Sequence, residues 1–446
     1  GPKRPELSQR EHSRGLERHV ITLEEARRRL VLGLPEAVSE PVDLDDALGR
    51  VVAADLLSPC DLPAEPRSRL DGYALRSMET TDASCERPAC CRLSPWTVTA
   101  GRVPKGRLEV GHCARVMTGA VIPEGADAVV AQERVRIEGE RLLVTQPVKA
   151  MSGLVRQGAD ALRGEVLAGV GEVLTPSKLA MVAAFGFDRV SVAVRPRVAL
   201  LSTGDEVREP GEPHVPGISY SNNRRLLGWL TGLNGGLVTH LGVSGDDPAE
   251  IAERLDRVEA DLYVTTGGTG RGDRDFVLDA WRRLGVQTLF KGVAVSPGKG
   301  VMAGFRESGT CLALPGSPWG GRVIFEELIK PFLWKFQGFL CRWPVGVKAL
   351  LAESVGNEQG ITRVLAGELD MGRPTASFAP FRQQGEPVFG QVRHSIGYML
   401  LEPHMLEMAA GEEVDVRLFD LPLLAAALLA NGQRCGRGSL SLVVPG

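Results

Sequence analysis

The 446-residue sequence has no run of 18 apolar residues, so no membrane-crossing helix is expected. The most apolar stretch, 421–430, is too short and stops at Asn431-Gly432. The first residues are charged and contain no apolar leader segment, and the compartment expected is the cytoplasm. Charge of one sign is also lacking: Lys and Arg total 52 against 55 Asp and Glu, for a net charge of −3. That balance argues against a nucleic-acid partner or an anionic membrane surface. Aromatic residues make up only 5%, too few for a surface that works by stacking bases or sugars. Eight cysteines do not make a disulfide scaffold. Cys85, Cys90 and Cys91 fall in what reads as one loop, with no second pair at zinc spacing, and free thiols are expected. Three enzyme signatures are missing: H-x-x-x-H for zinc hydrolysis, G-x-S-x-G for a serine nucleophile, and the G-K-[ST] ending of a nucleotide P-loop. The histidines, His112, His214, His240, His394 and His404 among them, read as structural or exposed.

What is abundant is glycine, 53 residues without a three-residue period, which implies many tight turns and backbone-lined loops. Residues 1–19 read as a frayed, basic end. Thr22-x-x-Glu25 then caps a helix through Ala26, Leu30 and Leu34, with Arg27-Arg28-Arg29 expected on a solvated face. From 46 to 149 short β-like runs alternate with Gly and Pro, predicting a β-rich domain. Thr175-Pro176-Ser177 opens a further helix that ends at Gly186. Strands and helices alternate over 196–338, predicting a doubly wound parallel sheet. Within it, Asp247, Pro248 and Glu250 carry a complete helix-start signature. Short strands over 341–420 predict a small β-barrel, followed by a tail, 421–446. The fold class is thus α/β multidomain.

In an open α/β sheet, ligands bind beyond the carboxyl ends of the strands. Three Gly-bearing loops are expected there: Ser202-Thr203-Gly204-Asp205-Glu206, the segment opened by Gly267-Gly268 and closed by Asp273-Arg274-Asp275, and Pro315-Gly316-Ser317-Pro318. A fourth, Ser296-Pro297-Gly298-Lys299-Gly300, lies between later strands. Such turns expose backbone N–H groups that favour phosphate and other anions. Asp205, Glu206, Asp273 and Asp275 beside them suit Mg²⁺ held between protein and ligand, or else serve as helix caps.

Several segments together resemble the molybdenum insertase family, that is, molybdopterin molybdenumtransferases and the E domain of gephyrin. Leu70-Asp71-Gly72-Tyr73-Ala74 is similar to the family's M-D-G-Y-A. Met117-Thr118-Gly119-Ala120, with 122–130 after it, is close to its MTGAxxPxGADAVV. Arg156-Gln157-Gly158-Ala159-Asp160, Ser202–Glu206, Ser221-Asn222 and Asp246-Asp247-Pro248 resemble R-x-G-E-D, STGDE, S/T-N and D-D-P. The resemblance implies a separate elongated segment made of 20–45 with 150–195, and a homodimer that joins molybdate to adenylylated molybdopterin and releases AMP with Mg²⁺, with other proteins of molybdenum-cofactor handling as further partners. Asp71, Glu206 and Asp275 are the implied catalytic carboxylates, with Asp246, Glu206 and Asp275 on the metal. Thr118, Gly119, Asp160, Ser202, Thr203, Gly204, Asp205, Gly267, Gly268, Pro297, Gly298, Lys299, Pro315, Gly316, Ser317, Pro318 and Arg363 are the implied ligand-binding residues.

The chain departs from the family at its anion loops. GGVSxGxxD reads Gly267 to Asp275 without the V-S pair, and K-V-A-M-K-P-G-K-P reads 292–300 without two of its lysines, Lys291 standing one residue away. PGNPVSA reads Pro315-Gly316-Ser317-Pro318-Trp319-Gly320-Gly321. Arg271, Arg274 or Arg322 would have to replace the missing cations. The retained carboxylates favour an insertase, one that works on molybdate or on another oxyanion or cofactor form. The altered loops favour a paralogue that keeps the fold and serves as a binding or scaffold protein.

Overall fold

The computed structural model describes residues 20–32, 34, 36–268, 275–340, 346–357, 360–372, 375–381, 396–422 and 425. Residues 1–19, the loop positions 269–274 that include Arg271, Asp273 and Arg274, His394, and nearly all of the 421–446 tail lie outside the described residues. The chain divides into two compact units. One draws on residues up to Ala54, on Val170–Pro176 and on the chain from Arg189 onward; the other comprises Asp55–Gly169 and Ser177–Asp188.

The second unit is built on a six-stranded sheet in the order Ala128–Ala131, Gly72–Leu75, His112–Val116, Ala89–Val98, Arg141–Val144, Val135–Glu138. Period-two alternation sorts its side chains onto two faces. Tyr73 and Leu75 pack with Cys91, Cys113 and Leu142 on one face, and Ala74 packs with Val98, Val116 and Val129 on the other. The strand Gly72–Leu75 is therefore buried on both sides. Gly72 is needed at its start, because a Cβ there would lie 2.1 Å from the Val130 carbonyl oxygen. Cys90 and Cys91, expected in a loop, are instead on the strand Ala89–Val98, where Cys90 is exposed and Cys91 buried. The short Cys-Cys-Arg-Leu run carries the alternation of a strand, which the nearby proline at 88 obscures in the sequence.

The first unit contains a six-stranded sheet in the order Leu237–Ser244, Arg197–Thr203, Leu262–Thr266, Gly309–Leu314, Met302–Arg306, Gln287–Lys291. The first four strands are parallel; Met302–Arg306 runs antiparallel to both its neighbours because it forms a hairpin with Gly309–Leu314. Alternation again divides the core. Val198, Leu200, Val264, Leu312 and Leu314 pack with Leu227, Leu230, Val323 and Ile324 on one face. Ala199, Leu201, Tyr263, Cys311 and Ala313 pack with Ile251, Leu255, Val277 and Trp281 on the other. Helices thus cover both faces, as the strand–helix alternation predicts. Burying each such leucine or valine contributes about 1.5–3 kcal/mol.

The same unit holds a five-stranded barrel. Thr362–Asp370, Ser377–Pro380, Gly346–Leu351, Glu413–Leu418 and Gly397–Leu401 pair in that order, and Thr362–Asp370 closes on Gly397–Leu401. Closure removes the open sheet edge. A sixth strand, Val295–Ser296, joins the outside of the barrel in parallel with Thr362 and Arg363.

The helix Leu23–Leu32 starts as expected, with the Glu25 N–H donating to Thr22 Oγ1 at 3.2 Å. Its arginines do not form a purely solvated face. Arg28 and Arg29 pair with Glu25, but Arg27 reaches Glu327, a carboxylate buried completely in a π-helical turn, Phe325–Ile329. Arg417 Nη1 and the Tyr398 hydroxyl, both on barrel strands, donate to the same carboxylate at 2.5–2.6 Å. A helix, a π-turn and the barrel thus share one buried charge. Arg27 pairs with a residue 300 positions away, which no local pattern signals.

Candidate functional site

Two strands leave the centre of the sheet in opposite directions. From Arg197–Thr203 the chain passes to Leu237–Ser244 on one side and then to Leu262–Thr266 on the other. The switch point lies at the carboxyl ends of Arg197–Thr203 and Leu262–Thr266, where a crevice opens in folds of this kind.

The expected loops converge there. Gly267 N–H donates to the Leu314 carbonyl at 3.0 Å, which fixes the second loop to the last parallel strand. Gly267 has φ +96°, and a Cβ on it would lie 2.3 Å from the Thr203 carbonyl oxygen, so only glycine allows this approach. Gly316 comes next to the Gly267 backbone, and a Cβ on Gly320 would lie 3.7 Å from the Gly298 nitrogen. Residues 203, 267–268, 298 and 316–320 therefore meet in one place. Ser317 caps the helix Pro318–Ile324 by accepting from Gly320 N–H. The Ser202 hydroxyl lies 2.7 Å from that of Ser221 and 3.4 Å from that of Thr266, all three buried.

Carboxylates line one side. Asp205 Oδ1 accepts from Asp246 N–H at 3.1 Å, and the Glu206 carboxylate folds back over Gly204. Asp246 is pushed above the usual carboxylate range, first by burial and then by the charges of Asp205 and Glu206. Asp247 caps the next helix through Ala249 N–H at 2.9 Å. Glu250 does not close a capping box on it; its Oε2 accepts from Gly245 N–H and its Oε1 from Arg254. Asp275 caps Phe276–Arg283, accepting from Leu278 N–H at 3.1 Å; burial raises its pKa against the lowering effects of that bond and of Lys291. Among the described residues, no three His, Cys, Asp or Glu side chains come close enough to hold a metal ion, so Asp246, Glu206 and Asp275 do not form a closed cage.

The cations of this region are unequal. Lys299 is exposed on its loop. Arg363 sits in register with Ser296, its guanidinium donating to the Gly356 carbonyl. Arg322 is not available to replace a missing lysine: it is buried, paired with Glu326 and Asp420, and lies over the Phe419 ring.

Four expected residues, Asp71, Thr118, Gly119 and Asp160, belong to the other unit. Asp71 Oδ1 accepts from both the N–H of Thr118 at 2.7 Å and its hydroxyl at 2.8 Å, which hold the Asp71 carboxyl below its ordinary pKa. Gly119 follows in the same turn, its N–H donating to the Ser68 carbonyl at 2.8 Å. Asp160 is exposed, its N–H donating to the Leu62 carbonyl at 2.9 Å. A cavity of about 490 Å³ next to it is lined by Arg69, Arg156 and Gln157 among others.

One residue that the sequence reading passed over lies in the first unit. Asn223, beside Ser221-Asn222, is 6% exposed and donates from Nδ2 to the Gly316 carbonyl at 2.7 Å. An amide just inside a helix start looks the same in the sequence whether or not it faces a ligand.

Residues 21–186 match a family described as the MoeA N-terminal region, domains I and II, and 199–335 match one described as a probable molybdopterin binding domain. The chain is 34% identical over 394 residues to a molybdopterin molybdenumtransferase of Synechococcus elongatus, covering 87% of this chain and 96% of that one. It is 30% identical over 410 residues to the Haemophilus influenzae protein of the same name, covering 90% and 99%. Two crystal structures of the molybdopterin biosynthesis MoeA protein from Pyrococcus horikoshii superpose with TM-scores of 0.80 and 0.75 at 28% identity, over 90% of this chain and 99–100% of those.

Proposed function

This chain belongs to the molybdopterin molybdenumtransferase family, and from that premise we propose that it inserts molybdate into adenylylated molybdopterin with release of AMP, as a homodimer. One observation carries the reading: the Gly-bearing loops at 203–206, 267–268, 297–299 and 315–320 converge at the switch point, with Asp205, Glu206 and Asp246 beside them.

The carboxylates fit Mg²⁺. Burial and then the charges of Asp205 and Glu206 raise the cost of ionising Asp246, which a divalent cation relieves. Mg²⁺ is commonly held by one or two carboxylates plus substrate phosphate, so an open set suits it. One or two of Asp246, Glu206 and Asp275, together with substrate phosphate, would hold the ion, which when bound neutralises phosphoanhydride charge. The N–H groups of the Gly-bearing turns orient the phosphates, and Lys299 offers a cation to the incoming oxyanion. Asp71, kept ionised by Thr118, is a base or an electrostatic partner for the reacting pterin.

The commitment of Arg322 to Glu326 and Asp420 favours a second reading, a binding protein or an enzyme for another oxyanion. AMP release from adenylylated molybdopterin, measured with molybdate, tungstate or no oxyanion and with or without Mg²⁺, separates these. Molybdate- and Mg²⁺-dependent release supports the insertase. Binding in calorimetry without release under any condition replaces it with the scaffold reading.

A further inference from the structure

Asn223 has an acceptor without a partner. Its Nδ2 donates to the Gly316 carbonyl, and only an N–H can do so, which fixes the orientation of the amide. Its Oδ1 is then a buried oxygen with no hydrogen-bond partner among the described residues. Leaving such an oxygen unmet is costly, so it points to a donor that arrives from outside the chain.

Space is kept free beside it. A Cβ on Gly320 would crowd the Pro315 ring at 3.3 Å. Gly321 has no such neighbour: a Cβ would meet nothing nearer than Asn223 Oδ1 at 3.8 Å. A glycine in a helix without a packing reason weakens that helix relative to alanine. Here two glycines replace the Ser-Ala of the family pattern, at the helix start facing Asn223.

Phosphate and molybdate oxygens at neutral pH only accept, so the oxyanion end of the substrate cannot satisfy Oδ1. We propose that Asn223 Oδ1 accepts a hydrogen bond from the amino-bearing edge of the substrate's heterocycle. The inference rests on the reading above that this site binds an adenylylated pterin. Adenine and pterin both carry such an edge, and separate ligands distinguish them.

The test is calorimetric titration of the full-length protein and of Asn223→Leu. For adenine the pair is AMP and purine riboside monophosphate, which lacks the amino group. For pterin it is pterin-6-carboxylate and its 2-oxo analogue. Wild type should prefer the amino-bearing member of one pair by about tenfold, the worth of one net hydrogen bond, and Asn223→Leu should abolish that preference. 2′-Deoxy-AMP, which keeps the amino group, should bind like AMP. If Asn223→Leu fails to fold, as judged by its thermal melt, the wild-type preferences decide alone. Binding of AMP or pterin with no amino preference in either pair, or with a preference that survives Asn223→Leu, overturns the inference and leaves the proposed function standing. No binding of any of these ligands counts against both, and AMP release from adenylylated molybdopterin then tells the two failures apart.

Discussion

Asp71 receives both hydrogen bonds from Thr118 on a single carboxylate oxygen, Oδ1. The pair lies 47 residues apart on two segments that match family motifs separately, and the fold makes them one unit. Thr118→Val keeps the backbone bond and deletes the hydroxyl bond. Its kcat/KM for AMP release should fall by about tenfold, in keeping with the loss of one hydrogen bond to a charged group, with little change in Tm. Unchanged turnover would reduce the hydroxyl to a structural role.

Asp275 caps a helix and is an implied metal ligand, and the two roles differ in magnitude. Asp275→Ala should lower stability by about 0.5–2 kcal/mol through the lost cap. If it also holds Mg²⁺, AMP release should fall by orders of magnitude. Thermal melts beside turnover separate these outcomes; normal rates with a lowered Tm would leave only the cap.

Legibility in the sequence followed distance along the chain. The Thr22 and Asp247 caps involve residues two or three positions apart and were readable from local pattern. The doubly wound region was readable from its strand–helix alternation and from the continuous apolar runs of its central strands, Arg197–Thr203, Leu262–Thr266 and Gly309–Leu314, which are buried on both faces. The direction of Met302–Arg306 was not, since a short apolar strand looks the same in either orientation. Nor were the fates of Arg27 and Arg322, whose partners are set by packing between distant elements. Asn223 was missed because its importance lies in an absent bond, which has no sequence signature.

Glu327 carries an acid-dependent contribution to stability. Burial raises the cost of its charge, but Arg417 and then Arg27 outweigh burial and hold its pKa below the ordinary glutamate value. A depressed carboxylate stabilises the fold above the unfolded-state pKa, and that stability is lost as pH falls through the folded-state value. The wild-type Tm should therefore drop on acidification below the ordinary glutamate range. Glu327→Gln leaves both arginines without their counter-charge and should cost about 3–5 kcal/mol at neutral pH. It should also flatten the acid limb of the Tm–pH curve, and an identical acid limb in the variant would contradict the assignment.

Lys299 is the exposed cation that remains in the Pro297-Gly298-Lys299 turn. Lys299→Ala should weaken molybdate binding by up to about tenfold at low salt, and less at high salt, where screening already reduces its effect. Equal affinities for wild type and variant at low ionic strength would place the oxyanion elsewhere.

The division of the chain bears on its assembly during synthesis. The central sheet of the Asp55–Gly169 unit draws every strand from residues 72–144. It can therefore close on the ribosome before translation has reached the doubly wound region. The other unit begins before this segment, takes up Val170–Pro176 and continues from Arg189, so its early residues must wait for partners that arrive much later. Arg27 and Glu327 mark the extremes of that wait, since the helix that carries Arg27 emerges some 300 residues ahead of the buried carboxylate it will meet. Until then, Ala26 and Leu30 lack the core they finally join. This interval is where a nascent chain of this design exposes apolar surface and where a chaperone would have something to hold.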